Sequence, residues 1–105
     1  DPTPEPIELT DAHIATMAGV YESLMAVMTI SPDNGSFRIN AKTKVNPLSA
    51  EERELPASWM KPISDRECIF TGGAAAGMRT DFIIGDDGAT RFVRFGGRLY
   101  DKVAN

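Results

Sequence analysis

Ser58 and Lys61 stand three residues apart, and S-x-x-K is the spacing at which a lysine one helical turn on can deprotonate a serine hydroxyl. That chemistry needs Ser at the first turn of a buried helix. Here Pro62 follows Lys61 directly and disfavours helix at Lys61. No S-D-N follows, and no K-T-G lies on a late strand. The match is read as coincidental. Cys68 is the single cysteine, so no internal disulfide can form, and its setting Cys68-Ile69-Phe70 marks it as a small buried hydrophobe. His13 is the only histidine, and without a Cys or second His it cannot build a zinc site. A surface or helix-packing role is expected for it.

Three further constellations carry oxygen or glycine. Gly85-Asp86-Asp87-Gly88 lacks the spaced ligands and terminal Glu of a calcium loop and reads as a hairpin turn. Thr71-Gly72-Gly73-Ala74 is followed by no G-K-[ST], so a phosphate cradle is unsupported. Asp33 with Asp86 and Asp87 could meet only if the fold brings two turns to one end. The sequence therefore predicts no catalytic, cofactor or metal residue.

The elements that would position these residues are mostly strands. Thr10 caps a short helix from Asp11, with Ile14, Met17 and Ala18 on one face and Gly19 as its C-terminal stop. Two turns of helix persist only when packed, so it is expected to plug or brace one end of a sheet. Strands are predicted at 20–23 and 25–30, possibly as one continuous strand. The turn residues Ser31-Pro32-Asp33-Asn34-Gly35 lead into an alternating strand at 36–40. Residues 41–58, with two prolines and the acidic run Glu51-Glu52-Arg53-Glu54, read as a long loop holding one short strand or helical turn at most. Strands follow near 59–63 and 67–71, then a Gly/Ala loop at 71–77. A hairpin at 81–84 and 89–95 comes next, then the Gly96-Gly97 turn and a last strand at 98–103. Many short strands at this spacing argue for a small antiparallel β-barrel of seven or eight strands in one domain, residues 10–105. Residues 1–9, with alternating prolines, read as a semi-rigid linker to something upstream.

Tyr21, Phe37, Trp59, Phe70, Phe82, Phe92, Phe95 and Tyr100 are spread through these strands, as barrel filling or as the lining of a cavity for an apolar small ligand. Composition excludes other classes. A net charge of −4 disfavours a nucleic-acid partner, and the arginines at 79, 91, 94 and 98 read as a solvated sheet face. The longest apolar run, 24–30 and interrupted by Thr29, is too short for a membrane span.

The order of features resembles one family. It runs from Met17-Ala18-Gly19-Val20-Tyr21-Glu22 through Phe37, Met60-Lys61-Pro62-Ile63-Ser64 and Phe70. Then come Phe82, Asp86-Asp87-Gly88 and Gly97-Arg98-Leu99-Tyr100-Asp101-Lys102-Val103. This resembles the lipocalin-like C-terminal domain of bacterial serine hydrolases of the β-lactamase and penicillin-binding-protein-like family, among them D-aminopeptidase and esterase relatives. The resemblance covers most of the chain after residue 10 and departs at 49–54 and 71–77. It implies a non-catalytic accessory domain that packs on an upstream hydrolase domain or an oligomer partner, in an exported, periplasmic or secreted enzyme. It also implies that the nucleophile belongs upstream. A stand-alone lipocalin-like binder of small molecules is the alternative, and an enzyme using Ser58 and Lys61 comes third.

Overall fold

The computed structural model describes residues 4–44, 52–73 and 75–105. Residues 1–3 of the proline segment, residues 45–51 with Glu51 of the acidic run, and Ala74 of the Gly/Ala loop lie outside the described residues.

Helix α1 spans Asp11–Met17, and the strands are β1 Gly19–Glu22, β2 Ala26–Asp33, β3 Ser36–Lys44, β4 Glu52–Glu54, β5 Ser58–Pro62, β6 Glu67–Gly72, β7 Arg79–Ile84, β8 Thr90–Phe95 and β9 Arg98–Ala104. Every pairing is antiparallel. β2, β3, β5, β6, β7, β8 and β9 follow one another round the wall, and β1 joins β9 to β2. The result is a closed eight-stranded antiparallel barrel with one short helix. Closure removes the unpaired edges that an open sheet would expose. β4 stands outside the circuit, paired with the last three residues of β3.

The turns that close this circuit are set by residue type. Asp33 pairs with Ser36 across Asn34-Gly35, whose φ values of +50° and +81° are those of a type I′ turn. Gly96-Gly97 repeats the device between Phe95 and Arg98, at φ +56° and +80°. At the β7–β8 turn the Asp87 side chain accepts from the Ala89 amide at 3.1 Å, and Gly88 takes φ +83°.

Residues 20–30 form two strands, as the first expectation has it, with the register Gly19↔Ile30 and the Ser23 amide donating to the Ala26 carbonyl. Other expectations shift. β2 runs to Asp33, so the turn is only two residues long. β3 runs past Asn40 because Ala26 to Asp33 pair with it as far as Thr43 and Glu52 pairs with Lys44, while β4 is the one short strand allowed for in the predicted loop. Gly19 does not stop the helix. Ala18 is the C-cap, and Gly19 already belongs to β1 at φ +153°, far from the left-handed conformation of a helix-ending glycine.

The helix is a plug, as its apolar face predicts. Ile14 and Met17 join the barrel core, while the Thr10 side chain caps the His13 amide at 3.1 Å. Polar latches hold it. Tyr21 donates its hydroxyl to the Met17 carbonyl at 2.6 Å, His13 Nε2 donates to the Asp65 carbonyl at 2.6 Å, and Lys102 Nζ donates to the Thr16 carbonyl at 3.1 Å. A cation at the last helical carbonyls also complements the helix dipole. Residues 6–9 lie at the same end, where the Ile7 amide donates to the Pro62 carbonyl at 2.9 Å.

The core fills the barrel beneath the helix. Met17, Tyr21, Phe37, Met60, Cys68, Phe82 and Val93 are wholly buried. Tyr21 stands edge-on to Phe82 with centroids 6.1 Å apart, and the Phe37 ring also lies 6.1 Å from Phe82.

Candidate functional site

Barrel parity separates the predicted aromatics into two sets. Directly paired residues share a face. The inward chain of pairs includes Tyr21↔Met28, Phe37↔Met60, Met60↔Phe70, Phe82↔Val93 and Val93↔Tyr100. Phe95, paired with Thr80, is also inward and lies 5.2 Å from Phe70. Trp59 and Phe92 do not join them. Phe92 pairs with Ile83 and Asp101, and Trp59 pairs with Arg38, all on the outer wall. The Arg38 guanidinium sits 5.9 Å from the Trp59 ring centroid. These two aromatics line no interior space. A one-residue offset reverses the face of a side chain, and aromatic identity alone does not report it.

The same parity disposes of the serine and lysine pair. Ser58 and Lys61 lie on β5, a strand, and residues three apart on a strand point to opposite faces about 10 Å apart. Ser58 faces the barrel mouth while Lys61 is exposed on the outer wall. Lysine therefore cannot deprotonate this serine within the folded barrel. Cys68 is buried, and the loss of water around it pushes its thiol up to about 12. At neutral pH it stays protonated and unreactive. Burial likewise pushes the Tyr21 phenol above its ordinary value. Among the described residues no three His, Cys, Asp or Glu side chains come together as metal ligands. Asp87 is engaged with Arg91 at 3.9 Å and with the Ala89 amide.

What the structure brings together is an apolar well at the barrel end opposite the helix. Its wall is built by Met28 of β2, Ile39 and Ala41 of β3, Phe70 of β6 and Phe95 of β8. Leu55, Pro56, Ser58 and Ala75 complete the rim, and the well measures about 230 Å³. The Leu55 amide donates to the Ala41 carbonyl at 2.9 Å, which holds the Leu-Pro segment against the end of β3. Exposed apolar side chains ring this end, with Leu24 at 75%, Met78 at 43% and Leu55 at 40% exposure. An apolar cavity of roughly 150 Å³ holds a benzene molecule. This well is larger, yet below the roughly 300 Å³ at which drug-sized ligands begin to fit.

A second hollow of about 460 Å³ adjoins it, lined by Ser23, Met25, Ala26, Thr43, Phe95, Gly96, Arg98 and Tyr100. The two share Phe95, and both run along the β2–β3 ladder through the pairs Ala26↔Thr43 and Met28↔Ala41.

The sequence pointed to Phe70, Phe95 and Tyr100 among these residues but missed Met28, Ile39, Ala41, Leu55 and Arg98. Met28 and Ile39 sit on the alternation 28-30 and 37-39 of strands the sequence predicts, whereas Ala41 becomes legible only once β3 is carried past Asn40. No family model matches the chain, and no curated protein matches its sequence.

Proposed function

We propose that this chain is a lipocalin-like binding barrel without chemistry of its own, which takes a small apolar group into the mouth well. The observation that carries this reading is the asymmetry of the barrel: one end is filled and latched by α1, and the described residues of the other line an apolar well of about 230 Å³. A packed lower barrel leaves no room for a long ligand. The group that fits is a single ring with a short chain, or a short acyl chain.

The neutral probe 3-phenyl-1-propanol tests this by amide chemical-shift titration. Shifts are expected to cluster at Met28, Ile39, Ala41, Leu55, Phe70 and Phe95, with Kd on the order of 1 mM. Ala41→Phe fills the well from its wall and is expected to weaken binding at least about tenfold (a lost CH₂ group is worth about 0.8 kcal/mol) with the unfolding midpoint retained. Scattered shifts, or binding unaffected by Ala41→Phe, overturn the reading.

A second reading is the accessory domain of a serine hydrolase, favoured by the resemblance and by one placement. Residues 6–9 lie at the helix-plugged end. A domain joined through them would therefore sit at that end and leave the apolar mouth facing away. The reading frame upstream of Asp1 decides it: an S-x-x-K hydrolase domain there supports this reading, and a stop codon or a leader peptide removes it.

A further inference from the structure

Of the four late arginines, two are already engaged along the wall. Arg94 reaches Asp81 at 3.4 Å and Arg91 reaches Asp87 at 3.9 Å. Arg79 and Arg98 are both exposed, with no carboxylate within ion-pair distance among the described residues, but only Arg98 lines the hollow beside the apolar well. The two-residue turn at Gly96-Gly97 puts Arg98 directly opposite Phe95, the side chain shared by both cavities. Ser23, Thr43 and Tyr100 add hydroxyl groups to the same hollow.

Apolar well and guanidinium thus meet across one aromatic ring. Resting on the mouth-binding reading, we infer that the natural ligand class is a small anionic amphiphile, a monocarboxylate on an aryl or short alkyl group. The apolar part enters the well, and the carboxylate stays at the wetter hollow beside Arg98. A guanidinium is suited to this because its planar fork matches a carboxylate and is always charged. A carboxylate at the rim also keeps most of its water, so it avoids the desolvation cost that would exclude it from the well. The well and hollow together favour a ligand with charge at one end only.

The test compares 3-phenylpropanoate with 3-phenyl-1-propanol, which share the ring and chain and differ in the charged end. Wild-type protein at low salt is expected to bind the carboxylate about two- to fivefold more tightly, the range of an exposed ion pair. Arg98→Gln is expected to abolish that preference and leave the alcohol's Kd unchanged. Arg94→Gln, which removes the same charge from the outer wall, is expected to retain it. Salt near 0.5 M should also erase the preference, because screening at that strength acts within a few ångströms. Equal affinities in the wild type, or a preference that survives Arg98→Gln, overturn the inference while leaving mouth binding intact. If neither compound binds, both readings fail together.

Discussion

Truncating Phe82 to Ala is expected to lower the free energy of unfolding by about 3–5 kcal/mol, whereas Phe92→Ala costs about 1 kcal/mol or less. Both residues are phenylalanines on paired strands, separated in the register by one step: Phe82 faces Val93, and Phe92 faces Ile83. Phe82 is wholly buried against Tyr21 and Phe37, so its removal deletes contacts with both and leaves a void that a closed barrel cannot collapse to fill. Phe92 is half-buried on the outer wall, where water replaces it. A domain of this size holds roughly 5–15 kcal/mol in total, so the first variant should sit near the edge of stability and the second should resemble the wild type. Urea unfolding by tryptophan fluorescence measures both. Equal losses would mean that β8 is one residue out of the register described here.

That contrast also marks where the sequence stopped being informative. The hairpins at Asn34-Gly35 and Gly96-Gly97, the Thr10 cap and the apolar face of α1 were legible because each rests on local chemistry: positive φ, an orphan amide, a helical spacing. The closed barrel followed from many short strands. Which aromatics face inward did not, because face depends on register, and register is fixed by partners distant in sequence. Trp59 and Phe92 therefore look like interior residues in the sequence and stand on the outer wall in the barrel. The mouth was obscured twice over. Ala41 lies on a part of β3 that looks like a loop until β2 and β4 flank it, and Leu55-Pro56 reaches the rim only by folding back on Ala41. In the sequence Arg98 is one of four late arginines with nothing local to set it apart, and only the Phe95↔Arg98 turn distinguishes its position from theirs.

Function follows the same division. The serine and lysine of S-x-x-K are legible as a motif, but strand geometry sends them to opposite sides of the wall. The binding reading draws on what tertiary structure alone supplies: a plug at one end and, among the described residues, an apolar well at the other. The proposed accessory role concerns a neighbouring domain, and the proposed binding of small carboxylates at the mouth is compatible with it. The two readings answer different questions and can be tested separately.

Gly19→Ala is expected to cost more than about 3 kcal/mol, well beyond the roughly 1–2 kcal/mol for placing an L-residue in an unfavourable positive-φ conformation. The excess comes from position. A Cβ at Gly19 would lie 2.6 Å from the Ala104 carbonyl oxygen and 2.7 Å from Lys102 Cε. The Lys102 side chain can swing away, though only by abandoning the Thr16 carbonyl at the end of α1. Ala104 is backbone and pairs with Val20, so moving it opens the β1–β9 seam where the first and last strands close the barrel. Gly88→Ala is the matched control, since it has φ +83° but open space where the Cβ would go. It should lose only the conformational part, about 1–2 kcal/mol. Chemical denaturation gives the two totals, and hydrogen exchange locates the difference. Amides of β1 and β9 should lose protection in Gly19→Ala while those of β5 and β6 keep theirs relative to the global stability. If the two glycine variants fall equally far, the close approach at Ala104 is not what requires glycine. The seam would then owe its closure to the pairing of Tyr21 and Glu22 with Lys102 and Asp101 rather than to the missing side chain at residue 19.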